Sequence, residues 1–370
     1  MSHQVKPSRL LARLEAEIVG ASTPVAADRK RAERAAYLAR VGRIDEAKAV
    51  VATLRQLYDK RPDIEISIWL HLVEGLICYF TDLNPAALNM IQRAHALSTA
   101  ADLRPLRALT AAWLAQMEYA RHGIQNLAQY SRLALDMAGT NHHATRARAT
   151  LVVGQTLHLA GCVDRARKWY ARARFHTLPD GDDAATSALM HNMASVSMMT
   201  LRQSILAGTP PVNVGGNTRV WVDSHEHFDE RSGISSLPSL GAILRAQTHS
   251  LEGDYAGAFA LYDSHLALAT AGGAQRMQAH LLADRAWCRL QLGQLESARQ
   301  DALAAMANLE PRTQIDDRAV AHSRLAQVFE GLGESAKAAE HADLAKTSWL
   351  QFEALQREII EALSDLSPDA

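Results

Sequence analysis

The chain has 370 residues, with 39 Lys and Arg against 40 Asp and Glu, and its formal charge of -1 excludes the uniformly basic surface by which proteins gather on nucleic acid or anionic lipid. Hydrophobic residues make up 48% of it and aromatic ones only 5%, so its apolar area comes mainly from Ala and Leu, which suits helix-on-helix packing better than sheets. Its three cysteines, Cys78, Cys162 and Cys288, lie far apart with no CxxC pair, which argues against a disulfide framework or a zinc site and for a reducing compartment.

In chain order, residues 1–22 read as an N-terminal helix or cap. Charges are scattered through them, so the uninterrupted apolar centre of a secretion signal is missing. No later stretch reaches the roughly 18 uncharged apolar residues that a membrane-spanning helix requires. A cytoplasmic protein with no membrane partner is expected.

Residues 23–346 read as a helical repeat array. Small turn residues followed five positions later by Ala recur at Gly42/Ala47, Asp82/Ala87, Gly123/Ala128, Gly161/Ala166, Gly253/Ala258, Gly293/Ala298 and Gly333/Ala338. Successive anchors are 40, 41 and 38 residues apart, then 92 across an irregular stretch, then 40 and 40. Glycine or aspartate ends one helix in a left-handed cap, a short polar turn starts the next, and the Ala allows the two to touch. The last unit shows the pattern most fully, with Leu325, Ala326, Phe329, Gly333, Ala338, Ala342 and Ala345 at the spacings of a buried stripe.

These residues, together with Gly75, Gly154, Tyr170, Ala173, Tyr255 and Tyr262, resemble tetratricopeptide repeats over most of the chain, from Ala27 to Trp349. The resemblance implies an all-α fold: a right-handed superhelical solenoid of helix pairs, roughly eight units if the gap holds about two periods. Units near 40 residues, against the standard length of about 34, resemble the sensor domains of large bacterial transcription activators and of peptide-pheromone receptors. Those relatives bind peptides, small inducers or regulators. The activators and many of the receptors join their repeats to a DNA-binding or ATPase domain. This sequence has too few residues before the array for a helix-turn-helix domain and no GxxxxGK(S/T) phosphate loop.

The irregular unit, residues 178–235, is expected to hold a helix at about 184–207, a loop at 208–216 containing Pro210 and Pro211, and a second helix that is short or displaced. It carries the one run that suggests a metal: Asp223, His225, Glu226, His227 and Asp229, with Glu230 nearby. Alternating histidines converge on one ion only from a strand or loop, since a helix sends them to different faces. The His142-His143 pair reads as an exposed helix start. Residues 347–370 read as a C-terminal capping helix and tail, with Trp349, Phe352, Leu355, Ile359, Ile360 and Leu363 forming an apolar stripe. That stripe either covers the last repeat or serves a homodimer.

In such a superhelix the first helix of each pair lines the concave face, so candidate binding positions follow by counting back from each turn. They are Trp69, Leu76 and Tyr79; Trp113, Met117 and Arg121; Arg148, Gln155 and His158; then Asn192, Arg202, Gln247 and Trp287. The tryptophans have a second reading as packing between units. Residues 142–176 are strongly basic, with Arg146, Arg148, Arg165, Arg167, Lys168, Arg172 and Arg174 against Asp164 alone. Guanidinium groups pair well with carboxylates, so an acidic peptide, a C-terminal carboxylate or a phosphate group is the natural guest. Alternatively these arginines are solvated and pair with the acidic stretches 180–183 and 223–230.

No nucleophile elbow, glycine-rich phosphate loop or HExxH motif occurs, so no enzyme and no cofactor are expected. The expected function is a non-enzymatic scaffold or adaptor that holds a protein or peptide in its groove, without contacting nucleic acid directly. The alternatives are a ligand- or peptide-sensing regulatory receptor and a metal-dependent enzyme built on Asp223, His225 and His227.

Overall fold

The computed structural model describes residues 6–208, 218–310 and 313–368. Among these residues lie seventeen α-helices, one short 3-10 helix and no strand. α1 (Arg9–Val19) starts at Ser8, whose hydroxyl accepts from the Leu11 amide; α2 (Pro24–Arg40) is capped in the same way by Thr23, with Pro24 in the first turn where no donor is lost. There follow α3 (Ile44–Tyr58), α4 (Ile64–Asp82), α5 (Ala86–Ala100), α6 (Arg104–Tyr119), α7 (Ile124–Met137), α8 (His143–Leu159) and α9 (Val163–Thr177). Next come α10 (Asp183–Leu206), α11 (Thr218–Ser232), α12 (Pro238–Leu251) and α13 (Tyr255–Ala271). After the 3-10 turn Ala274–Met277 the chain ends with α14 (Gln278–Gln291), α15 (Leu295–Ala307), α16 (Ile315–Gly331) and α17 (Ser335–Ala362).

The predicted turns are where neighbouring helices pair. At Gly42 and Gly333 the backbone takes φ of 88° and 75°, and the next residue donates its N–H to the carbonyl five positions back, Arg43 to Leu38 and Glu334 to Phe329, both at 2.9 Å. Gly161, Gly253 and Gly293 repeat the same closure. Two turns depart from the expectation, because Leu83 and His122, beside the anchors Asp82 and Gly123, take the left-handed conformation. Gly123 is needed for a different reason: a Cβ there would collide with the Glu118 carboxylate. All seven anchor alanines are buried. Gly75 and Gly154 let paired helices approach, since a Cβ would lie 2.6 Å from Ile91 Cγ1 and 3.0 Å from Tyr170 Cδ1 respectively.

The irregular unit is more regular than expected. α10 matches the predicted helix within one residue at each end, and α11, at 15 residues, is as long as α3, α5 and α9. Its Val222 packs with Ala194, Met198 and Leu244, so a neighbouring apolar stripe holds it in place as in the other pairs. The loop with Pro210 and Pro211 lies outside the described residues. α4 alone among the described residues is long and apolar enough to cross a membrane, by length and composition. Much of its apolar side, including Ile66, Ile68, Trp69, Leu72, Val73 and Leu76, is core, and its Glu74 is clamped by Arg55 at 2.6 and 2.7 Å.

The C-terminal segment differs from the expected separate cap. α17 runs unbroken from Ser335 through residue 347, so the second helix of the last pair and the capping segment are one 28-residue helix. Trp349, Phe352, Leu355, Ile359 and Leu363 join the same apolar cluster as Leu127, Ala128, Leu157 and Ala166 of α7, α8 and α9, while Ile360 is exposed. Five of the six stripe residues are therefore covered within the chain. Gln356 donates to the Leu159 carbonyl and Arg165 to the Leu363 carbonyl, both at 2.9 Å.

Other long-range contacts tie distant parts of the array together. Leu10 and Leu14 of α1 share a cluster with Tyr37, Val41, Ala184 and Ile234, and the Ser235 amide donates to the Val41 carbonyl at 3.0 Å. Gly273 is pressed onto the Asp82 carbonyl, and Arg276 and Gln314 both donate to the carbonyl of Ala120. α10 touches α8, α12 and α16, so it stands at the meeting point of these elements.

Candidate functional site

The first helices of the pairs, α4, α6, α8 and α10, bring three of the sequence-predicted residues into one hydrogen-bonded chain. Asn192 Nδ2 donates to Gln155 Oε1 at 2.5 Å, Gln155 Nε2 to Gln116 Oε1 at 3.3 Å, and Gln116 Nε2 to the Tyr79 hydroxyl at 3.4 Å. The residues are 37, 39 and 37 positions apart, one link per repeat. Gln116 was missed because no turn-based count marks it out from its neighbour Met117. Its signal is the spacing itself, an amide one period from Gln155. Gln155 is wholly buried, and the two ends, Tyr79 and Asn192, are half-buried. A buried amide is stable only with its partners in place, which fixes the register of these helices relative to one another.

A second network sits where α10, α14 and α16 meet. Arg202 Nη2 lies 2.5 Å from Asp284 Oδ2 and Arg324 Nε 3.2 Å from Asp284 Oδ1, and the Tyr262 hydroxyl donates to the same carboxylate at 3.3 Å. Trp287 covers Arg324, its ring centroid 5.3 Å from the guanidinium carbon. Two cations and one anion are thus enclosed together. Burial, and then the Asp284 charge, push the Tyr262 hydroxyl well above its ordinary range, so it stays a neutral donor.

A third cluster lies between α2, α6, α8 and α10. Arg40 Nη2 reaches both oxygens of Asp182 at 2.8 Å. Beside it the Arg148 guanidinium stacks 4.1 Å from the centre of the Trp113 ring, and Arg40 approaches the same ring at 5.9 Å. Arg148 is 6% exposed and makes no hydrogen bond or close ion pair among the described residues, although the Asp182 carboxylate attracts it from farther away. Burial first, and then the neighbouring Arg40 charge, lower its pKa from 12.5 to about 10, so it remains a cation at neutral pH. It lines a cavity of about 20 Å³ with Arg40, Leu109, Trp113, Leu151 and Ala185.

The remaining predicted positions divide. Trp69, Leu76 and Met117 are core side chains, and Trp113 is 3% exposed, so the expectation of an open tryptophan-lined groove gives way to packing between units. His158 is buried against the Tyr170 hydroxyl at 3.2 Å, and burial lowers its pKa to about 4. Gln247 is buried on α12, whereas Arg121 stands exposed beyond the end of α6. The basic stretch of residues 142–176 is dispersed. Arg146 caps the end of α7 through the Ala138 and Gly139 carbonyls, Arg165 holds the Leu363 carbonyl, and Arg167 pairs with Asp164. Asp180 and Asp182 pair instead with Arg13 and Arg40. His142 and His143 do mark the start of α8 but are half-buried, with His143 Nδ1 3.1 Å from His176 Nδ1.

The metal candidates lie on α11, and the helix separates them. His225 turns inward, 3.2 Å from Asp229 and with its ring 5.1 Å from that of His191, while Asp223 and His227 are exposed. Among the described residues no group of three or more His, Cys, Asp or Glu side chains is placed to hold a metal ion. A larger surface cleft of about 240 Å³ between α11 and α12 is lined by Arg219, Asp223, Arg245, His249 and Glu252; Arg219 pairs with Asp223 and Glu252, while Arg245 and His249 turn to Glu226 and Asp254. No protein-family model matches the chain and no curated protein matches it in sequence, so the functional reading rests on this geometry.

Proposed function

We propose that this chain is a non-enzymatic scaffold or adaptor of tetratricopeptide type that holds a protein or peptide on the inner faces of its first helices. In this reading the helix pairs form a right-handed superhelix of roughly eight units. The partner presents an acidic segment or a C-terminal carboxylate, and the protein works in the cytoplasm, consistent with its three free cysteines. The observation that carries the reading is the amide chain from Asn192 to Tyr79, one residue per repeat, running beside the unpaired cation Arg148. The half-buried ends of that chain, Asn192 and Tyr79, suit a peptide backbone, and an arginine in no close ion pair suits a carboxylate. The test is capture of partners from the native cell with full-length protein, followed by titration of synthetic peptides against tryptophan fluorescence. Saturable binding of acidic peptides supports the scaffold, and indifference to every retained protein and peptide removes it.

A second reading, a ligand-sensing regulatory receptor, is favoured by the closure of the inner face on itself. Arg40 with Asp182, and Arg202 with Asp284 and Arg324, join elements far apart in the chain. A guest that inserts there must separate them, so binding is coupled to a change in the array. A response to small metabolites with none to peptides selects this reading.

A further inference from the structure

We propose that the cavity between α2, α6, α8 and α10 is the seat of one small anion, of carboxylate or halide size, bound edge-on by Arg148. This deepens the proposed function and rests on its assignment of the inner helix faces as a binding surface. A buried guanidinium without a counter-charge is costly, because it has given up water and gained no acceptor in return. Other arginines enclosed nearby touch a carboxylate directly: Arg40 that of Asp182, and Arg202 and Arg324 that of Asp284. In direct contact Arg148 has only the Trp113 ring, which covers one face of the guanidinium, and the Asp182 carboxylate acts on it from beyond hydrogen-bond reach.

Arg148 borders a cavity of about 20 Å³, above the ~10–15 Å³ that one water-sized group needs. Arg40 Nε, also buried, has no acceptor either, and the two arginines share the single Asp182 charge, which leaves the cluster with a net positive charge. The volume admits a chloride or the end of a carboxylate. The remaining wall is apolar, from Leu109, Ala144, Ala147, Leu151 and Ala185, which excludes competing water and strengthens the ion pair. Two sources share this chemistry: a free inorganic or organic anion, and the terminal carboxylate of a bound chain.

The experiment follows thermal unfolding and tryptophan fluorescence of the full chain while sodium chloride or sodium acetate replaces sodium gluconate at constant ionic strength. Saturable protection by chloride or acetate, with a melting rise of about 2 °C or more that gluconate does not give, is the expected result for a free anion. Protection by a peptide with a free C-terminus, about tenfold stronger than by its C-terminal amide, identifies the chain end as the source. Arg148→Met keeps length and apolar contact, and it is expected to abolish the anion response. Arg148→Lys, which keeps the charge but not the forked donors, is expected to weaken it about tenfold. If wild-type protein responds equally to chloride, acetate and gluconate, and equally to the acid and amide peptides, the site does not exist, whatever the variants do. Partner capture that persists in Arg148→Met, with the anion response lost, leaves the scaffold reading standing apart from this site.

Discussion

Arg202 on α10 and Asp284 on α14 meet at 2.5 Å with both side chains at most 3% exposed, and Arg324 closes on the other carboxylate oxygen from α16. Removing the anion leaves two enclosed cations facing each other. Asp284→Asn is expected to cost about 3–5 kcal/mol, the range for breaking a buried pair by deleting one partner. Urea unfolding of the two proteins side by side measures it. A loss under about 1 kcal/mol would mean that water reaches the network.

Acid should weaken the fold through its buried histidines. Burial lowers the pKa of His158, His176, His191 and His322 from 6.5 to about 4. The unfolded chain therefore binds more protons than the folded one between these values. Stability is full above about pH 6.5 and falls as pH drops toward 4. Denaturant midpoints measured from pH 8 to 4 are expected to be flat and then decline. Replacing His322 and His341, whose Nδ1 atoms lie 2.9 Å apart, with Gln should reduce the slope of the decline.

The long C-terminal helix divides contacts of different value. Phe352 is fully buried in the cluster that unites α17 with α7, α8 and α9, and Phe352→Ala is expected to cost about 3–5 kcal/mol. Arg132 also binds this end, at 2.5 Å from Asp365, but its partner side chain is 58% exposed, so Arg132→Ala is expected to stay within about 1 kcal/mol. Comparing the two variants by chemical denaturation checks whether apolar closure, and not the ion pair, holds the end.

Two glycines should fail for different reasons. At Gly75 an added methyl would lie 2.6 Å from Ile91 Cγ1, so Gly75→Ala is expected to cost about 1–3 kcal/mol by overpacking, and Ile91→Ala in the same chain should recover part of it. At Gly161 the space is open but φ is 76°, and Gly161→Ala is expected to cost about 1–2 kcal/mol that no second substitution of a neighbour recovers. A double-mutant cycle at each position distinguishes packing from backbone strain.

The amide chain predicts coupling between repeats. Gln155→Ala leaves Gln116 Oε1 and Asn192 Nδ2 without partners and is expected to cost about 1–3 kcal/mol. Asn192→Ala added to it should cost less than it does alone. Additive losses would show that the links act separately.

The helices and their turns could be read from residue order because both are local. Gly293 ends a helix and Ala298 opens a seam by rules that span a handful of residues, and the repeat multiplies the signal. Three members of the amide chain were legible for the same reason, since each occupies an equivalent place in its unit. α11 was read as irregular because Pro210 and Pro211 interrupt the period before it, although Val222 still finds an apolar stripe to pack on.

What residue order determined by itself, then, is the all-helical content, the places where helices pair, and the small residues at their contacts. Only the tertiary structure decided which faces remain open. Arg40 meets Asp182 across 142 residues and α17 returns to α7 across 233, separations that the repeat period of about 40 does not suggest, while Arg202 meets Asp284 across 82, about two periods. Such contacts are set by packing in three dimensions and by no single turn. The same packing leaves Arg148 enclosed beside Trp113 in no close ion pair of its own.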